Sequence, residues 1–140
     1  LVPKYSPDGE SHGTSAAIEY ALKELKIQHL IVLGHTDCGG IKSAYNLHSN
    51  NLNPDYEFIN KWLSILLPAF NNIAKDVSQE EQLEKFEEES IKNSVINLFS
   101  FPYVKKAVED KSLSIHGLIH NIATGGIKFL NPITEDFENL

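Results

Sequence analysis

The sequence has 140 residues, of which 41% are hydrophobic and 22% charged, enough for one ordinary globular domain with a core. Its net charge of −7 argues against nucleic acid as a partner. No apolar run approaches the roughly 20 residues that cross a bilayer, so a membrane-spanning protein is not expected.

The basic and thiol side chains exclude two kinds of interaction and indicate a cellular compartment. All twelve basic residues are Lys, so no bidentate guanidinium contact can come from this sequence. Cys38 is the single Cys, which excludes an intrachain disulfide and predicts a reducing, cytoplasmic location. The first residue is Leu1 rather than Met, which predicts that residues 1–140 belong to a longer protein.

The first part of the chain reads as an irregular start, a helix and a strand. Turn-forming residues, among them the Asp8-Gly9 pair, predict no regular structure over residues 1–12. Apolar residues at helical spacing predict a helix from Gly13, with Thr14 or Ser15 as its cap. The apolar run 29–33 is typical of a strand covered on both faces, as in a parallel sheet.

The rest of the chain is mostly helical in pattern. An Asn-rich loop with Pro54 is expected over residues 48–55, and Ser112 to Leu130 reads as one or two strands. The acidic stretch Glu80 to Glu89 is interpreted as a solvated helix face rather than a partner surface. Helices are predicted at Gly40 to Leu47, Tyr56 to Ala74 with a possible kink at Pro68, Gln79 to Leu98, and Pro102 to Val108. The predicted fold class is α/β, with a mainly parallel sheet flanked by helices.

One segment carries recognisable chemistry, Gly34-His-Thr-Asp-Cys-Gly-Gly40. It follows the predicted strand, at the sheet edge where ligands bind in open α/β folds. Imidazole and thiolate are preferred zinc ligands, and the turn between His35 and Cys38 lets both reach one ion. Gly39 leaves the backbone open to a small ligand, so we expect it to contact substrate. Asp37 is expected to be a turn residue that bonds nearby backbone.

Taken alone, a His-x-x-Cys pair is a weak signal, because a catalytic zinc needs three protein ligands. A lone Cys is more often a small buried hydrophobe. The remaining histidines lack ligand spacing and are expected to be structural or solvent-exposed: His12, His29, His48, His116 and His120.

Several segments together resemble β-class carbonic anhydrases. Gly13-Thr-Ser-Ala-Ala-Ile-Glu-Tyr-Ala-Leu22, followed by His29-Leu-Ile-Val-Leu-Gly-His-Thr-Asp-Cys-Gly-Gly40, is similar to the second zinc motif of that family and the elements before it. Further similar segments follow in the same order: Asn93-Ser-Val-Ile-Asn-Leu98, Phe101-Pro102, Leu113-Ser-Ile-His-Gly117 and Ile122-Ala-Thr-Gly125. The segment 118–121 departs from the family, which more often has aromatic residues and an Asp there.

The resemblance implies reversible hydration of CO2 to bicarbonate by zinc-bound hydroxide, in a protein that forms homo-oligomers. In the family, two Cys and one His hold the zinc, and His35 and Cys38 match two of these positions. The remaining Cys belongs to an upstream Cys-x-Asp-x-Arg motif that also holds the Asp–Arg pair, and this sequence has no such motif. Residues 1–140 are therefore expected to be part of one such domain, incomplete at the N-terminus, with no catalytic Asp–Arg pair of their own.

Three functions remain open at this stage. The chain is part of an active carbonic anhydrase, or it is a truncated, inactive remnant that acts as a folded or oligomerising module. The third is a redox or nucleophilic role for Cys38, disfavoured because only His35 lies beside it and no resolving Cys exists.

Overall fold

A computed structural model describes residues 1–7, 12–49 and 55–140 of the chain. The predicted Asp8-Gly9 turn and the Asn-rich loop around Pro54 lie outside these residues. The helices and strands, in chain order, are α1 Gly13–Lys23, β1 His29–His35, α2 Gly39–His48, α3 Ile59–Leu63, a 3₁₀ turn Ser64–Leu66, α4 Leu67–Asn72, α5 Gln79–Leu98, α6 Pro102–Glu109, β2 Ser114–His120, β3 Ile127–Leu130 and β4 Phe137–Asn139.

The strands form one sheet in the order β1-β2-β3-β4. β1 and β2 are parallel, with His29 opposite Ser114 and His35 opposite His120. The β2–β3 and β3–β4 pairings are antiparallel, so the described part of the sheet is mixed and its parallel part is the β1–β2 pair. The predicted α/β class with flanking helices is confirmed, and β4 is a strand that the sequence pattern did not reveal.

Helices cover one face of this sheet closely. A Cβ atom built on Gly34 would lie 2.6 Å from Ile91 Cδ1, and one built on Gly117 would lie 2.9 Å from Ile91 Cγ2. Glycine at these two positions therefore lets α5 pack directly on β1 and β2. A cluster of buried residues packs α1 and α6 against the same face of the sheet; its members include Ile18, Leu98, Phe101, Val104 and Leu113.

The opposite face of β1 and β2, which we call the open face, is not covered by the described residues. Along β1 exposed and partly buried side chains alternate, and Ile31 and Leu33 are 56% and 64% exposed. The prediction that this strand is covered on both faces is therefore wrong for the described chain. Its continuous apolar run predicts two-sided burial, but the described helices lie against one side only.

The helices follow the predictions with two corrections. α5 has the predicted bounds, and a capping box between Ser78 and Glu81 starts it. α1 begins as predicted but without a side-chain cap, so Thr14 and Ser15 do not cap it. The helix expected from Tyr56 to Ala74 is three short pieces, with Pro68 in the first turn of α4. Proline lacks the N–H that a continuous helix requires, which accounts for the break.

The acidic stretch on α5 is only partly a solvated face. Gln82 and Glu89 are buried within it, and Glu87 is partly buried.

In the described part of the chain, no helix is both long and apolar enough to cross a membrane.

Candidate metal centre

The His-x-x-Cys segment forms the connection between β1 and α2. His35 is the last residue of β1, and Cys38 occupies the N-cap position of α2 in an extended conformation. Asp37 between them has a φ of 58°, in the left-handed region that Asp tolerates better than most residues. The strand thus turns into the helix within two residues, and both predicted zinc donors lie at the carboxyl end of β1.

Hydrogen bonds fix the ring of His35 and the turn behind it. The Thr36 N–H donates to His120 O at 3.0 Å, and the Ile122 N–H donates to Thr36 Oγ1 at 3.2 Å. His35 Nδ1 lies 2.9 Å from Thr36 O. A carbonyl oxygen can only accept, so Nδ1 carries the proton and Nε2 of the neutral ring keeps its lone pair. This arrangement is typical of metal-binding histidines, which donate their other N–H to a fixed acceptor.

Asp37 behaves as a turn residue, but its carboxylate is not bonded to the backbone as predicted. It forms an ion pair with Lys42 on α2. The hydrogen bond to Lys42 and the charge of Lys42 lower the pKa of Asp37, and the same contacts raise the pKa of Lys42. Both side chains are largely exposed, so we expect this pair to contribute little to stability.

Glu87 on α5 is a member of the site that sequence reasoning missed. Its Oε1 accepts a hydrogen bond from the Cys38 N–H at 3.1 Å, which ties α5 to the start of α2. Burial raises the pKa of Glu87, while the N–H groups of Cys38 and Asp37 and the nearby His35 oppose that rise. The two partners are 49 residues apart in the chain, so no local spacing pointed to this contact.

The two glycines after Cys38 leave space at the start of α2. A Cβ atom built on Gly39 would meet nothing within 4 Å, and one on Gly40 would lie 3.7 Å from Cys38 Sγ. The first N–H groups of a helix lack intrahelical acceptors and attract anions. Backbone donors of α2 are therefore presented next to the Cys38 thiol.

A cleft of about 800 Å³ adjoins this turn. Asp37, Lys42 and Glu87 line it beside the turn, and residues of α5 and of the segment after β2 form its other walls. Acidic side chains outnumber the two lysines among its lining residues.

The described residues match zinc chemistry without completing a zinc site. His35 and Cys38 supply one imidazole and one thiol, the donor types that zinc prefers. Among the described residues, no group of three or more His, Cys, Asp or Glu side chains is placed to hold a metal ion. His48 lies against Leu63 O, and His29 contacts His116, a pairing that the sequence pattern did not reveal.

Comparisons with known proteins agree on one family. The carbonic anhydrase family model matches residues 1–127. The chain is 35% identical over 128 residues to β-carbonic anhydrase 3 of Arabidopsis thaliana. The match covers 89% of this chain and 49% of that protein.

Solved structures of the same class have the same fold. The β-carbonic anhydrase CcaA matches all of this chain and 62% of its own, with a TM-score of 0.87 and 27% identity. A tetrameric β-carbonic anhydrase from Sordaria macrospora matches 91% of this chain and 64% of its own, with a TM-score of 0.74 and 26% identity. The chain therefore spans about half the length of the curated relative and under two thirds of these solved chains. On this evidence the chain belongs to the β-class carbonic anhydrase family.

Proposed function

We propose that this chain is part of an enzyme that reversibly hydrates CO2 to bicarbonate, and that His35 and Cys38 are two of its zinc ligands. The observation that carries the proposal is the turn between β1 and α2. It presents an imidazole with a free Nε2 lone pair and a thiol at the carboxyl end of a strand, in a chain of this family. The names of the relatives support the reaction.

The described residues prepare this site for zinc. When bound, zinc would act as a Lewis acid and lower the pKa of a water ligand to about 7. The contact from His35 Nδ1 to Thr36 O holds the imidazole in the tautomer that a metal needs. Glu87 fixes the backbone of Cys38, and we propose that a third ligand comes from residues beyond those described.

Gly39 is the proposed substrate contact. It is the first residue of α2, and the space beside it is open. Its backbone N–H would donate to a bicarbonate oxygen, with the positive end of the helix dipole favouring the anion. This role needs the backbone alone, so glycine is suited because it lets the ligand approach closely.

The assembly and location are part of the same proposal. A homo-oligomer is supported by the tetrameric relative from Sordaria macrospora and by the open apolar face of β1. The single Cys supports a reducing, cytoplasmic compartment.

A second candidate is an inactive remnant that folds or associates without catalysis. It is favoured by the donor set, because the described residues offer two zinc ligands where a catalytic site needs three. The two candidates predict different CO2 hydration activities for the longer protein to which we assign these residues.

Stopped-flow CO2 hydration distinguishes them. We expect the longer protein to be active with zinc, and the variants His35→Asn and Cys38→Ser to lose at least about a hundredfold in kcat/KM. Residues 1–140 alone should not exceed the rate of zinc in buffer. A longer protein that neither retains zinc after dialysis nor hydrates CO2 would favour the remnant.

A further inference from the structure

Two histidines meet on the open face, at the opposite end of β1 from the His-x-x-Cys turn. His29 is the first residue of β1, and His116 lies opposite Ile31 on β2. His29 Nδ1 is 3.1 Å from His116 Nε2, and the ring centroids are 5.3 Å apart with the planes tilted by 34°. Both side chains are exposed. Two imidazole nitrogens are thus held close together, facing solvent, by a pair of hydrogen-bonded strands.

We propose that His29 and His116 form a binding site for a divalent late transition-metal ion. With metal–nitrogen bonds of 2.0–2.1 Å, two nitrogens 3.1 Å apart subtend an angle of about 100° at the ion. That angle lies between the right angle of square-planar or octahedral coordination and the tetrahedral angle. The spacing therefore suits an ion that lies to one side of the line joining the two nitrogens, reached by rotation of the two rings about their side-chain bonds with both strands in place.

The proton balance of this pair also permits binding. In the metal-free pair one of the two nitrogens carries a proton and donates a hydrogen bond to the lone pair of the other. On binding, both nitrogens use their lone pairs, and the ring that donated moves its proton to its other nitrogen through solvent. No net proton is released when both rings are neutral. Water or an external ligand would occupy the remaining coordination positions.

The order of affinities follows from the donor type. Imidazole sites bind divalent ions of the first transition row in a series that rises to copper and falls at zinc. Cu²⁺ is therefore the most sensitive probe of the pair. This site is separate from the proposed zinc ligands, because the six residue steps from His29 to His35 along the strand span about 20 Å. The inference does not depend on the proposed zinc site, and it applies to the chain with its open face uncovered.

The test is titration of the 140-residue chain with Cu²⁺ in a Cys38→Ser background, which removes the competing thiol. We expect one equivalent to bind, with nitrogen splitting from two imidazoles in the electron paramagnetic resonance spectrum. Adding His29→Asn or His116→Asn should each weaken binding by at least about tenfold and remove one nitrogen. The matched control is His120→Asn, which changes a histidine at the far end of β2 and should leave binding unchanged.

Two results of this titration would overturn the proposal. If His120→Asn or His35→Asn abolishes Cu²⁺ binding while His29→Asn does not, the ion belongs to the other end of the strand. If none of the substitutions matters, binding is adventitious. A measurement on the unsubstituted histidine pair guards against variants that misfold. Substoichiometric Cu²⁺ should broaden the imidazole NMR signals of His29 and His116 before those of His12 and His48, and equal broadening of all four would contradict the site.

Discussion

The contact between Gly34 and Ile91 gives a sharp test of how α5 supports the His-x-x-Cys turn. Gly34 immediately precedes His35, and a Cβ atom at this position would lie 2.6 Å from Ile91 Cδ1 and 3.2 Å from Ile91 Cγ1. Overpacking a core of this kind costs about 1–3 kcal/mol, while replacing Gly by Ala in a strand recovers roughly 0.5–1 kcal/mol. Because the nearest atom is the end of a flexible side chain, we expect Gly34→Ala to destabilise the chain by about 1 kcal/mol.

The substitution Ile91→Val deletes Cδ1, the atom in closest contact. By itself it should cost about 1 kcal/mol through the lost methyl group. In that background Gly34→Ala should be neutral or slightly stabilising, because only the 3.2 Å contact with Cγ1 remains and the strand gain persists. The double variant should therefore be more stable, by about 1 kcal/mol or more, than the sum of the two single-variant effects predicts.

Gly117→Ala is the matched control for this cycle. Its Cβ would lie 2.9 Å from Ile91 Cγ2 and 3.1 Å from Leu130 Cβ, atoms that Ile91→Val keeps. Leu130 Cβ is fixed by the backbone, and Ile91 Cγ2 is restrained because a β-branched residue in a helix strongly prefers one χ1 rotamer. It should cost about 2 kcal/mol or more in either background. Urea unfolding followed by circular dichroism, with unchanged m-values, measures the cycle. Equal rescue of both glycine variants by Ile91→Val, or of neither, would refute the packing argument.

Three further predictions concern the metal, Glu87 and the edge of the sheet. At dilutions where residues 1–140 are monomeric, zinc should not remain stoichiometric after dialysis against a chelator, because the two ligands of a single chain hold it weakly. Stoichiometric zinc in metal analysis of the monomer would show that a ligand was missed. Burial raises the pKa of Glu87 above its ordinary value of 4.5, so the buried charge costs stability as the pH rises through the raised pKa. Glu87→Gln keeps an acceptor for the Cys38 N–H. Urea unfolding should therefore find this variant more stable relative to the parent at pH 7 than at pH 4, and an equal difference at both pH values would contradict the burial argument. β1 is the first strand in the sheet order, and it has apolar side chains on its open face. The chain should therefore self-associate or retain a bound peptide, and Ile31→Lys should prevent this. A monodisperse 15.7 kDa monomer in sedimentation velocity would contradict that prediction.

The features that sequence predicted well are those fixed by local pattern. α5 and α6 have clear start signals and regular apolar spacing, so their first residues were predicted correctly. His35 and Cys38 are three residues apart, so one turn joins them whatever the rest of the fold does. β4, by contrast, was not predicted, because it has three residues and little pattern of its own and depends on antiparallel pairing with β3.

The features that sequence missed depend on contacts between distant residues. Glu87 meets Cys38 because α5 crosses behind the turn, and His29 meets His116 because β1 and β2 are parallel neighbours. The exposure of Ile31 and Leu33 is of the same kind, because the composition of a strand does not say what covers each face.

The incomplete metal site and the open face are properties of one strand, and this links zinc binding to association. His35 follows Ile31 and Leu33 at alternate positions, so its side chain shares the open face with theirs. A surface that covers this face therefore also approaches His35. Zinc favours four ligands, and two copies of the chain could offer two His35 and two Cys38 side chains to one ion. By linkage, zinc should then strengthen association, and association should strengthen zinc binding by the same factor. We expect sedimentation velocity of residues 1–140 to show more dimer with zinc than with a chelator, and this difference should disappear in Cys38→Ser but persist in His29→Asn. One zinc bound tightly to a monomer would contradict this linkage.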